Sequence, residues 1–265
     1  MPDSAALKIN RATEHIEELN ELFREKRPFG YVLETNTKTS ERATLTKKNE
    51  AVVNTGALLC GDAVHNLRSA LDHAYWEIVS PRLDTDRELK SAQFPFSKTR
   101  DGLPKAIQQR FAHYAGMGFY CALLKLRPYG EPGGNELLYL VHSLDTIDKH
   151  KLLIPTADYT RVSSDAIIKF APDFPQNVQI GDSVVFGPGG RHIVWHFAGR
   201  LPTEQLGSIK PPTMHIFERE LDVPVDIVFD IGTPGHGRPI IRTLDKMVDT
   251  TRETIEIMRT ASTSC

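Results

Sequence analysis

Apolar residues recur at helical spacing over residues 4–26, where Ile9, Ala12, Ile16, Leu19 and Phe23 share one face. Ser4 stands where an N-cap is needed and Pro28 lies just past the end. Tyr31 to Leu33 and Ala43 to Thr46 are rich in β-formers and predict a short hairpin or an ordered loop. A long central helix is expected over about 52–79, stopped by Pro81. After the extended run Gln93-Phe94-Pro95-Phe96 the pattern predicts two shorter helices, near 102–112 and 117–126. The turn from Arg127 to Gly134 leads into another helix, about 135–151, ended by Pro155.

Beyond that point the period changes. Ala166 to Phe170, Ser183 to Phe186, Ile193 to Phe197 and Val225 to Phe229 read as strands, with Gly187-Pro188-Gly189-Gly190 as a hairpin turn. A final helix, about 241–260, carries Ile241, Leu244, Met247, Val248 and Ile255 on its apolar side. The expectation is an α+β chain. A helical bundle over 1–155 is followed, over 156–265, by a small, mostly antiparallel β-rich part and a closing C-terminal helix.

The central helix has an unusual polar half. With Arg68 at zero, Asp72 projects near 40°, His65 near 60°, Ser69 near 100°, Asp62 near 120°, His73 near 140° and Asn66 near 160°, all approximate. Ala63, Val64, Leu67, Leu71, Ala74 and Ile78 take the opposite arc. A solvated helix face is ordinarily built from Lys and Glu, which favour helix; Asp, Asn, Ser and His do not. Residues so poorly suited to the helix suggest selection for something other than local stability. That marks a candidate site.

Composition narrows the field. The chain has 265 residues, 40% of them hydrophobic and 25% charged, as in ordinary globular proteins. A formal charge of -2 gives no broad basic field, so any nucleic acid would bind a local patch. The three cysteines, Cys60, Cys121 and Cys265, form no metal-like spacing, which predicts no disulfide framework and a reducing cytoplasm, and Cys60 and Cys121, with no evident base nearby, read as inert buried thiols. No secretory leader pattern and no long apolar run is present, so no membrane partner is expected.

Arg68-Ser69-Ala70-Leu71-Asp72-His73 places an Arg and a His five positions apart on a helix, which resembles the signature of the HEPN superfamily of helical-bundle ribonucleases. The likeness covers residues 4–155, with Ser69 where that family usually has Asn, Asp or His. The longer string Gly61 to Trp76, with Asp145 to Lys151 downstream, also resembles a widespread group of bacterial proteins, a likeness that implies no particular activity.

The HEPN resemblance implies metal-independent RNA cleavage in a cleft between two subunits, hence a homodimer with RNA as partner, no cofactor and a role in stress or phage defence. Its site residues would be Arg68 and His73, with His65 and Asp72 in support. Histidine suits proton transfer at neutral pH, and the Arg fork suits phosphoryl oxygens. Arg68 and His73 lie roughly 140° apart, so convergence needs a long Arg side chain, a distorted helix or a second subunit. His65 is the nearer neighbour of Arg68 and Asp72. Ser69 and Asn66 complete the face as candidate substrate contacts. The plainer reading is an Arg68–Asp72 ion pair, with the histidines capping or bridging helices.

A second cluster runs from His142 to His150. Leu137, Leu140, Val141, Leu144 and Ile147 are its apolar side, and His142, Asp145 and Lys149 share another face. If this helix packs beside the central one, Asp145, Asp148, Lys149 and His150 line the same cavity and Lys149 adds a phosphate contact. The alternative is an exposed Asp145–Lys149 pair of small worth.

His65, Asp72, His73, His142, Asp145 and His150 are also competent metal donors, which raises a metal-dependent hydrolase as a second enzyme reading. A non-catalytic dimeric interaction protein is the third. The loop from Gly232 to Pro239 reads as a turn before the last helix, Trp195-His196 as β-surface or core, and Tyr75-Trp76 as helix packing or a base-stacking pair.

Overall fold

The computed structural model of the chain describes residues 3–36, 41–153, 155–158, 191–198, 216–221, 226–230 and 232–263. These residues are mostly helical. The helices are α1 (Ser4–Lys26), α2 (Glu50–Val79), α3 (Asp86–Ser91), α4 (Leu103–Gln109), α5 (Met117–Leu126), α6 (Glu136–Asp148) and α7 (Ile240–Thr263).

Extended segments are β1 (Phe29–Asn36), β2 (Glu41–Lys48), β3 (Pro155–Asp158), β4 (Arg191–Ala198), β5 (Ile216–Leu221) and β6 (Asp226–Phe229). The backbones of β1 and β2 run antiparallel, Phe29 opposite Lys48, and β3 runs antiparallel to β6. The strands expected over 166–170 and 183–186 and the turn at 187–190 lie outside the described residues, so the class these residues establish is helical.

The N-terminal helix departs from expectation at its first residue. Asp3, not Ser4, is the N-cap, its side chain accepting the Ala6 amide. A carboxylate at this position satisfies an orphan N–H and meets the positive end of the helix dipole. Asp3 also accepts two hydrogen bonds from Arg259 at 2.8 Å, which ties the start of α1 to the end of α7. Together these donors hold the carboxyl down at about 2.

Helix α2 is the axis of the bundle. Its face of Ala57, Cys60, Ala63, Val64, Leu67, Ala70, Leu71 and Ala74 is fully buried, and α1, α6 and α7 all pack on it. Small residues on this face bring the neighbours close. A methyl group at Gly56 would meet the Phe23 ring of α1 at 2.6 Å. The final helix adds Leu244, Met247, Val248, Ile255 and Met258 to the same core as Leu19 and Leu144. The turns over 232–239 precede α7, as the glycines there predict.

The candidate face of α2 is thus boxed by two further elements. Helix α6 lies along one side. The irregular segment Gln93 to Phe96 crosses near Asp72, held at its far end by Ser97, whose amide donates to Pro128 and whose carbonyl accepts from Gly130.

Candidate functional site

The polar face of α2 resolves into two separate networks. The first is built on Arg68 and Asp72, one helical turn apart, paired at 2.6 Å. Asp72 also accepts the Phe94 amide at 2.8 Å, and Arg68 donates to the Phe94 carbonyl at 3.4 Å. The backbone N–H and C=O of one residue, Phe94, are therefore held by the two members of one ion pair. The Arg68 guanidinium lies over the Phe96 ring, 4.8 Å from its centre. His142 of α6 stacks on Phe96 with centroids 4.6 Å apart and planes at 7°.

Burial dominates this network. Only 11% of the Arg68 side chain is exposed. Desolvation raises the Asp72 carboxyl above its ordinary range, against the opposing pull of Arg68. His142 is pushed down to about 4, first by burial and then by the Arg68 charge. Its Nδ1 is buried and accepts or donates no hydrogen bond among the described residues. A guanidinium so committed to a peptide and a ring anchors the segment Gln93 to Phe96 on the helices.

The second network joins α2 to α6 and opens to solvent. His65 Nδ1 lies 2.9 Å from Asp145 Oδ1, and Lys149 Nζ donates to Asp145 Oδ2 at 2.7 Å. Asp145 is 3% exposed, whereas His65 and Lys149 are 56% and 57% exposed. The expected exposed Asp145–Lys149 pair is corrected here: the carboxylate is buried, and His65 and Lys149 cover it. A carboxylate only accepts, so Nδ1 of His65 carries a proton, and in the neutral ring Nε2 is then the nitrogen with the lone pair. This is the orientation a general base requires, with a cation alongside.

The remaining predicted residues are scattered. His73 is exposed, and no described hydrogen bond or ring contact joins it to Arg68. Ser69 is half-buried beside both networks in sequence. Asn66 is buried and turned to the other side, accepting from Lys8 of α1 at 3.2 Å and donating to the Asp62 carbonyl. His150 is exposed. Tyr75 is buried, donating to the Arg110 carbonyl and meeting Phe94 edge-on, so it packs; Trp76 is exposed. Cys60 is buried, but Cys121 is exposed, contrary to expectation.

Three participants, from two places in the chain, were not predicted as part of this site. Phe94 and Phe96 come from an extended run whose only signal was its alternation of Phe with Gln and Pro. Gly61 is the other. A methyl there would meet the Asp148 carboxyl at 2.4 Å, so this glycine is what lets α6 seat an acid directly on the α2 backbone.

Among the described residues no three His, Cys, Asp or Glu side chains converge as metal donors. None of the described helices is long and apolar enough to cross a membrane. No family model, curated protein or solved structure matches the chain.

Proposed function

We propose that the chain is a metal-independent, RNA-cleaving or RNA-binding effector whose working edge is His65, Asp145 and Lys149. The observation that carries this reading is the contact between an exposed imidazole and a buried carboxylate, with an exposed ammonium on the same carboxylate. In an isolated ion pair both partners gain little at the surface. A buried Asp that fixes the tautomer of a solvent-facing His is instead the arrangement used to prepare a base.

In the proposed reaction Nε2 of His65 takes the proton of a ribose 2′-OH. The 2′-oxygen bonds to the adjacent phosphorus, the bond to the 5′-oxygen breaks, and that oxygen is protonated by water. Lys149 neutralises charge on the phosphoryl oxygens. Arg68 and Asp72 support this edge by fixing the segment Gln93 to Phe96 and, through Phe96 and His142, the neighbouring α6. The HEPN likeness of residues 4–155, the homodimer, the cytoplasmic location, the defence role and the α+β organisation of the whole chain remain part of the same proposal.

The test is incubation with single-stranded RNA in excess EDTA. Cleavage with 2′,3′-cyclic phosphate ends supports the enzyme, whereas chelator-resistant binding without cleavage supports the binding form. Absence of both refutes the reading. Metal-dependent hydrolysis is less well supported, because no described donor set converges.

A further inference from the structure

We infer that Trp76 is the stacking platform for an unpaired base of the RNA strand whose phosphate lies at His65 and Lys149. The inference rests on the reading of that edge as an RNA site. It adds the residue that holds a neighbouring nucleotide and requires the bound strand to be single.

The neighbours Tyr75 and Trp76 divide between two environments. Tyr75 is fully buried, its hydroxyl donating to the Arg110 carbonyl and its ring against Phe94 and Phe119. Trp76 is 49% exposed. One apolar side chain at a surface is ordinary; the place of this one is not. Asp62, His65, Ser69, His73 and Trp76 fall within about 80° of one another around the axis of α2. All are exposed except Ser69, which is half-buried. Helix α1 packs on one flank of this line, where Lys8 donates to Asn66, and α6 packs on the other, where Asp145 meets His65. Trp76 therefore shares one open strip, between two helices, with the working edge.

Charge gives the strip a direction. From His65 toward the start of α2 the next residue on the line is the exposed carboxylate of Asp62, which repels a polyanion. Toward the end of α2 the line offers Ser69 and His73, and no carboxylate, before Trp76. The acids beside that stretch are engaged: Asp72 pairs with Arg68, and Glu77 accepts from Arg259 of α7. A phosphodiester chain anchored at His65 and Lys149 thus runs toward Trp76, about three turns or about 16 Å along the axis. A few nucleotides span that length, and a flat, uncharged ring waits at its end. Every base has a π-face to lay on such a ring, and only an unpaired base is free to do so.

The test uses the full chain and 2′-fluoro oligouridine, which has no 2′-OH and is not cut by the proposed reaction. The comparison ligand is a sugar-phosphate chain of the same length without bases. Trp76→Ala should weaken oligouridine binding by about 10-fold and leave the baseless chain bound as by wild type. The salt slope stays as in wild type, because no charge is removed. Trp76→Phe, which keeps a ring, recovers part of the loss. With Trp195→Phe leaving Trp76 as the emitting indole, its fluorescence is quenched as oligouridine binds. Equal affinity of wild type and folded Trp76→Ala for oligouridine, or unquenched emission on binding, overturns the inference and leaves the RNA reading of His65 standing. Should wild type bind neither ligand, that reading and this inference fall together. Self-association that Trp76→Ala abolishes, with oligouridine binding intact, places a second copy on Trp76 and also overturns the inference.

Discussion

His65 and Asp145 stand 80 residues apart in sequence and meet at 2.9 Å across the α2–α6 contact, one ring half in solvent and one carboxylate almost wholly out of it. The asymmetry assigns roles. The buried member cannot be a surface ornament, because an unpaired carboxylate there is costly, and the exposed member is the one that substrate can reach.

Replacing Asp145 by Ala therefore acts on two readouts. Unfolding by urea should show a loss of about 1–3 kcal/mol, for a buried acceptor with two donors. RNA cleavage should fall by about 100-fold or more as the imidazole loses its orientation. Lys149→Ala should change stability by less than about 1 kcal/mol, being an exposed partner, yet weaken RNA binding and its salt dependence.

Arg68 is predicted to matter for stability first. Arg68→Ala removes the donor to the Phe94 carbonyl and leaves Asp72 facing a desolvated site, which should cost about 2–3 kcal/mol in a denaturant titration. Arg68→Lys should recover little of it, since an ammonium cannot pair with Asp72, reach the carbonyl and lie flat over Phe96 at once. Recovery to wild-type stability would show that the planar fork is irrelevant.

His142 gives the protein a defined acid response. Its folded value of about 4 lies below the ordinary 6.5, so the unfolded chain binds the proton more readily. The stability it contributes is complete above about 6.5 and is lost as pH falls through about 4. Solvent access limits the effect to about 2 kcal/mol. In His142→Phe, which keeps a ring on Phe96 without a titrating nitrogen, the slope of unfolding free energy between pH 6.5 and 4 should flatten.

The helices were legible because their apolar stripes are local. The face of Ile9, Ile16 and Leu19 and the face of Leu67 and Leu71 both went inward as their spacing required. Capping was less legible: Asp3 and Ser4 are both good caps, and the Asp3 carboxylate that takes the role is also paired with Arg259, far off in sequence. At the site, the Arg68–Asp72 pair was readable as an i, i+4 contact, but its real partners, the backbone N–H and C=O of Phe94, were not.

The same limit left the place of Asp145 conditional on α6 packing beside α2. On a helical projection it shares a face with His142 and Lys149, and nothing local says that α2 covers that face. Gly61, set in the middle of a long helix, was the available clue to close approach.

The most direct measurement compares initial rates of single-stranded RNA cleavage, in excess EDTA, for wild type, His65→Ala and His73→Ala proteins with matched unfolding midpoints. Loss of about 100-fold or more in His65→Ala, with His73→Ala close to wild type, is the predicted result. Full activity in His65→Ala, or loss confined to His73→Ala, would contradict it.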